Sequence, residues 1–376
     1  MNREMLKKML EDHTKWLCGI GDKRIDLRYA DLRDANLKGA DLTRANLICA
    51  DLTRANLTCA DLTDVNLTDA NLTRAILTDA DLKDANLKGA DLTYANLRGA
   101  NLRYVNLRDA DLTRADLTCA NLTCADLTDV NLTCADLTDV NLTDANLTHA
   151  NLTHANLTDA NLTGANLAYA NLTRANLKGA DLTRANLTCA DLTRANLTCA
   201  DLTDVNLTDA NLTRAILTDA DLRDADLTRA NLTDADLRGA NLKGANLTYA
   251  NLKGADLTGA NLNNCIISYP LVCPEIGSFV GWKKAKGLIV KLEICEDALR
   301  SSATTRKCRC SKAKVLAIET LDGKSGPNQV ASTFDENFIY RVGEIVEVKD
   351  FDTNRWEECS TGIHFFITRD EAVRYW

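Results

Sequence analysis

The side chains able to do covalent, redox or metal chemistry fall into two unequal groups. The 376 residues hold 14 Cys and 4 His. Seven cysteines (Cys49, Cys59, Cys119, Cys124, Cys134, Cys189 and Cys199) and two histidines, His149 and His154, lie between residues 26 and 262, a stretch with no Glu and no Ser. Hydrolysis needs a nucleophile, a base and an orienting acid within reach of one another, and no such set exists there. Elsewhere Cys308 and Cys310 form Cys-x-Cys, with Cys273, Cys295, Cys359 and His364 apart from them. Paired Cys-x-x-Cys spacing, the usual sign of zinc, is missing. These thiols read as buried or incidental, so no metal, no cofactor and no enzymatic activity are expected. So many thiols without a secretory leader suit a reducing, cytoplasmic compartment or a virion. No apolar run of 18 residues is present to cross a membrane. Repeated Asn-Leu-Thr fits the N-glycosylation pattern, but without a secretory route it is a by-product of the repeat.

Charge adds two candidate binding surfaces. Residues 26–262 carry 33 Asp against 22 Lys and Arg, and the whole chain has a net charge of −9. Between Arg114 and Arg174 no Lys or Arg occurs, and Asp116, Asp126, Asp129, Asp136, Asp139, Asp144 and Asp159 form an acidic belt. The opposite sign gathers at Arg306, Lys307, Arg309 and Lys312. That run is a candidate phosphate or partner patch, the alternative being the solvated face of a strand and loop.

The elements that position these residues follow from one period. From Leu27 to Leu262, Leu recurs at every fifth residue through 48 units. The residue before each Leu is Asp or Asn, except Ile76 and Ile216, and the one before that is nearly always Ala. On an α-helix a five-residue step advances about 140° and smears Leu over the whole surface. On a flat strand an odd period alternates faces. The Leu share one interior only if the chain turns equally in each unit, as in a solenoid. Leu27, Leu127 and Leu262 are therefore expected in one continuous core. Residues 51–80 recur identically as 191–220, an offset of 140 residues that reads as duplication. Thr follows Leu in 32 of the 48 units, where a β-branched residue suits an exposed coil.

The run Ala-Asp-Leu-Thr-Arg-Ala-Asn-Leu-Thr-Cys at 50–59 resembles the pentapeptide-repeat proteins. That resemblance implies an all-β right-handed quadrilateral β-helix, one unit per side, about 12 coils and roughly 58 Å long at about 4.8 Å per coil. It also implies that Asp and Asn stack coil upon coil. Some members of that family are DNA-like rods that occupy the DNA site of type II topoisomerases. The rod as a whole carries about one net charge per 5 Å, against one per about 1.7 Å in DNA; the belt alone approaches the DNA value.

Three domains are expected. Residues 1–25 form an amphipathic helix, with Met5, Leu6, Met9, Leu10, Trp16 and Leu17 at helical spacing, that covers the open edge of the first coil. Residues 26–265 form the β-helix. Residues 266–376 form a small α+β domain, with strands at 288–294, 315–319, 338–342, 345–348 and 362–367 and a short helix from Thr368. Its segments 281–284, 306–309 and 359–366 resemble an uncharacterised module that follows pentapeptide repeats in phage, giant-virus and bacterial proteins. The run 362–366 with Tyr375 resembles the NAD-contacting strand of ADP-ribosyltransferases, with His364 at the tyrosine position, but the upstream His-Gly is missing. The expected function is a non-enzymatic rod-shaped scaffold or protein-protein interaction protein. The alternatives are a DNA-mimic inhibitor or protector of a type II topoisomerase or another basic DNA-binding protein, and an enzymatic C-terminal domain. The expected partner is a protein or a second copy through the C-terminal domain, with neither membrane nor DNA bound directly.

Overall fold

A computed structural model describes residues 3–267, 273–274, 276–302, 307–352 and 360–375. The chain divides into two compact units, Met1–Ile267 and Ser268–Trp376.

In the first unit every Asp or Asn position forms a parallel bridge to the residue 20 further on, from Asp26 with Asn46 to Asn246 with Ile266. Four pentapeptides therefore close one coil. Each unit spends its backbone polar groups in the same way. The Leu27 N–H donates to the Asn46 carbonyl at 2.7 Å, the Tyr29 N–H to Ile48 at 3.0 Å, and the Ala30 N–H back to Leu27 at 3.1 Å. The last of these closes a β-turn whose third residue has positive φ, +58° at Tyr29, as a type II turn requires. Leu and Ala point inward: Leu127 is 1% exposed and Ala125 1%. Leu27 is equally buried, but Leu262 is 38% exposed. The core ends before Leu262 because no further coil of the repeat stacks upon it.

The recurrent polar residues of the unit have a structural task beyond β propensity. The Asp51 carboxylate accepts the Thr53 N–H at 3.0 Å and the Thr53 hydroxyl at 2.5 Å, an Asx turn two residues long. Coil-to-coil bonding adds to this: the Asn131 amide donates to Asp111 at 3.3 Å and to the Thr113 hydroxyl at 2.9 Å. Threonine thus closes the turn and receives the next coil.

Helix α1, Arg3–Leu17, precedes the first coil. Its anchors are Leu6 and His13; Met5 is 59% exposed. The His13 imidazole is fully buried, with Nδ1 accepting the Ile25 N–H at 3.2 Å and Nε2 at 3.0 Å from the Thr43 carbonyl. In the next coil the equivalent carbonyl, Thr63, accepts from the Arg44 N–H. One imidazole thus takes the ladder place at Thr43 and also holds the Ile25 N–H, whose equivalent Ala45 donates within its own turn to Leu42. Covering an open β edge in this way prevents pairing with other chains.

The second unit is predominantly β. Strands β1 (Phe279–Ala285), β2 (Leu288–Ile294), β5 (Lys312–Glu319) and β8 (Ile345–Glu347) form an antiparallel sheet in the order β1-β2-β5-β8. The β1–β2 hairpin turns on Lys286 and Gly287, both with positive φ, the type I′ geometry that matches strand twist. A second sheet joins β3 (Arg300–Ser302), β4 (Cys308–Cys310) and β9 (Ile363–Phe365), and β6 (Gln329–Ala331) pairs with β7 (Ile339–Arg341). Trp282 and Phe366 exchange backbone hydrogen bonds of 2.8 and 2.7 Å, linking the two larger sheets. The only helix described in this unit, α2 (Arg369–Arg374), starts at a capping box between Thr368 and Glu371. It is the short helix expected from Thr368, and among the described residues helix in this unit comprises these six residues. The buried core includes Val290, Leu292, Val315, Tyr340, Ile363 and Phe365.

Candidate functional site

Because the coil repeats every 20 residues, the third turn residues line up in four outward columns. The sorting of charge among them is uneven. Of nine arginines at these positions, six (Arg54, Arg74, Arg114, Arg174, Arg194 and Arg214) share one column, and the column of Cys59, Asp79, Asp139 and Asp159 has none. Beside the arginine column runs an unbroken ladder of Thr from Thr53 to Thr233. Between Arg and Thr lies a groove of about 540 Å³ lined by His154, Arg174, Arg194 and Arg214. Some charges in this column are matched: Arg54 pairs with Asp34 at 2.7 Å and Arg214 with Asp234 at 3.4 Å. Arg74 and Arg114 sit 5.6 and 5.5 Å from the Tyr94 ring centre. Among the described residues no carboxylate lies within 4 Å of Arg174 or Arg194.

The acidic belt separates into two populations. Asp116, Asp126 and Asp136 are half-buried and accept from the N–H and hydroxyl of Thr118, Thr128 and Thr138. Asp129, Asp139, Asp144 and Asp159 are exposed turn residues with φ between 54° and 58°. Of these four, only Asp139 and Asp159 share a column; Asp129 and Asp144 stand in two others. A belt continuous in sequence becomes a ring around the coils, so no single face carries it all. Where Gly follows an acid by one coil, as Gly164 follows Asp144, a Cβ would stand 2.5 Å from the Asp144 carboxylate.

The repeat thiols lie on exposed or half-buried turns, and His149 stacks on Tyr169 one coil on, centres 5.1 Å apart. In the second unit Cys273, Cys308 and Cys310 are buried, and burial pushes the Cys310 thiol up to about 12. Among the described residues no three His, Cys, Asp or Glu form a metal-binding group, and no helix is long and apolar enough to cross a membrane. Cys359 and Arg306 lie outside the described residues.

The basic run is not assembled as one patch. Arg309 is buried, donates to the Asp352 and Thr361 carbonyls at 3.2 and 2.8 Å, and lies 5.5 Å from the Phe351 ring centre. Lys312 is paired with Asp297 at 2.7 Å. All three residues of β4 are buried. Arg309, on the face opposite the core residues Cys308 and Cys310, is covered by the segments of Phe351, Asp352 and Thr361, which residue type alone does not foretell. Lys307 does line a cleft of about 730 Å³, together with His364 and two residues that sequence reasoning passed over, Lys283 and Phe334. Lys283 is on β1, whose inward positions are Gly281, Lys283 and Ala285. This alternation is the signal that would have found it.

Successive stretches between residues 23 and 264 match the model described as pentapeptide repeats (8 copies), and residues 269–372 match a family of unknown function (DUF5758). No curated protein matches significantly. Among solved structures, HetL, a pentapeptide repeat protein involved in heterocyst differentiation regulation from the cyanobacterium Nostoc sp. strain PCC 7120, is 32% identical. That alignment covers 67% of this chain and 92% of HetL, with a TM-score of 0.26. The pentapeptide repeat protein Rfr23 from the cyanobacterium Cyanothece 51142 is 34% identical over 29% of this chain and 88% of its own, at a TM-score of 0.28. QnrB1, a plasmid-mediated fluoroquinolone resistance protein, is 19% identical over 49% of this chain and 91% of its own, at a TM-score of 0.30. With its ladder of Leu, its 20-residue coil and a family match across more than half its length, the chain belongs to the pentapeptide-repeat proteins.

Proposed function

We propose that the chain is a non-enzymatic interaction or scaffold protein. Its repeat unit is read as a right-handed, four-sided β-helix of about 12 coils that docks a protein partner along an outward column. The observation that supports this reading is the sorting of charge: six arginines in one column and none in another. A solenoid turns such columns into extended binding surfaces, and unmatched charge guides a partner of opposite sign. The test uses full-length protein as bait in its native host. Exchanging Arg174, Arg194 and Arg214 for Glu is expected to release a partner that the unaltered protein retains. Retention of every partner by that variant overturns the docking column.

The basic-free coils between Arg114 and Arg174 favour a second reading, imitation of DNA toward a type II topoisomerase or a comparable basic surface. It predicts inhibition of DNA gyrase supercoiling that weakens when Asp129, Asp139, Asp144 and Asp159 become Asn. Asp126 and Asp136 are poorer probes, because their carboxylates are engaged in Asx turns. An absence of inhibition at micromolar protein removes the reading.

A further inference from the structure

Among the described residues, no carboxylate neutralises one buried ammonium of the second unit. Lys283 is 8% exposed, and its Nζ donates to the His364 carbonyl at a long 3.4 Å. The Tyr340 ring centre lies 5.8 Å away, and among the described residues no Asp or Glu comes within 4 Å. An isolated buried charge is costly unless paired or hydrogen-bonded. Burial and the neighbouring charge of Lys307 push Lys283 down to about 8.

Lys283 lines two adjoining cavities, one of about 730 Å³ and one of about 150 Å³. Both are also lined by Lys307, His364, Phe334 and Tyr375. Lys307 Nζ lies 5.4 Å from the Tyr375 ring centre. Phe334 is 85% exposed at the rim, a large flat ring with little packed against it. The acidic wall, Asp335, Glu347 and Asp350, belongs to the larger cavity alone. The space is therefore cationic where the cavities meet, aromatic at the rim and acceptor-rich along the larger cavity. The larger volume is in the range of small-molecule sites.

We propose that this cleft binds a nucleotide-class ligand, its phosphate held by Lys283 and Lys307 and its flat ring stacked on Phe334. The chemistry follows from the three linings: ammonium groups favour phosphate oxygens, an exposed aromatic ring takes a base by stacking, and carboxylates accept from sugar hydroxyls. This inference is independent of the docking column, which lies in the other unit.

Calorimetric titration of the full-length protein with AMP, inorganic pyrophosphate and adenosine tests it. AMP is expected to bind saturably, and adenosine at least tenfold more weakly. Lys283→Met and Lys307→Gln are each expected to weaken AMP at least tenfold. Phe334→Ala should weaken AMP severalfold and leave pyrophosphate unchanged. Should Lys283→Met fail to fold by circular dichroism, Lys307→Gln decides, since Lys307 is only half-buried. No saturable AMP binding at millimolar concentration, or unchanged affinity in the folded lysine variants, overturns the proposal. Equal loss of AMP and pyrophosphate on Phe334→Ala overturns the nucleotide class.

Discussion

The two units bury hydrophobic surface in opposite ways. In the repeat unit Leu127 meets residues one coil away, and the same contact recurs along the whole ladder. In the second unit Phe365, on β9, packs against Phe279 on β1 with ring centres 5.8 Å apart, across more than 80 residues of chain. A solenoid is a sum of neighbouring interfaces; a globular core is closed once by non-local pairs. Stability in the first is local and redundant, and in the second it is shared.

The largest expected effect sharpens that contrast. Phe365→Ala should cost about 3–5 kcal/mol and raise amide exchange throughout the second unit. Leu127→Ala should cost about 2–5 kcal/mol, yet raise exchange chiefly in its own and adjacent coils. Uniform loss of protection along the ladder in Leu127→Ala would break the comparison.

The cap comes next. His13→Ala leaves the Ile25 N–H and the Thr43 carbonyl without their partner, at about 1–3 kcal/mol, and should free α1 while the coils stay folded. Trp16 reports the change, because its ring stacks on His13 at 5.5 Å. Acid should act likewise. Burial, opposed by the Thr43 carbonyl and the charge of Asp41, lowers His13 below its ordinary 6.5, and Arg24 adds to the lowering. A depressed histidine contributes stability that is present above pH 6.5 and lost as pH falls through the folded value. Trp16 fluorescence should therefore shift below pH 6.5, and the shift should vanish in His13→Gln.

Smaller again is Thr133→Val. It removes a hydroxyl that donates to Asn131 at 2.6 Å and accepts from Asn151 at 3.0 Å, worth about 1 kcal/mol. Arg174→Gln, on an exposed column, should change thermal stability by less than about 0.5 kcal/mol. A larger loss would mean that the column serves the fold instead of a partner.

Legibility followed the same division. In the repeat, the inward Leu and Ala were plain from their period, since every unit states the pattern again. The second unit was legible only where strands are apolar. β2 matches the expected span of Leu288–Ile294, and the helix begins after Thr368 as its capping box indicates. β1 escaped because Lys283 and Lys284 break its apolar run, and β4 because three residues carry no period. The cleft was illegible for the same reason: its key ammonium is a lysine on an inward strand position, and its partners come from segments far apart in sequence.

By itself the sequence determined which residues of each pentapeptide face where: Leu and Ala go inward and the last two residues face out, while the turn that Asp or Asn closes with Thr emerged from the structure. These choices depend on neighbours within two or three residues. Only the tertiary structure decided which outward residues meet. A five-residue period does not say how many units close a coil, and it is the closure at four that gathers Arg174, Arg194 and Arg214 into one column and scatters the acidic belt into a ring. The same holds for His13 and Lys283, whose burial depends on surfaces that exist only once distant segments have packed.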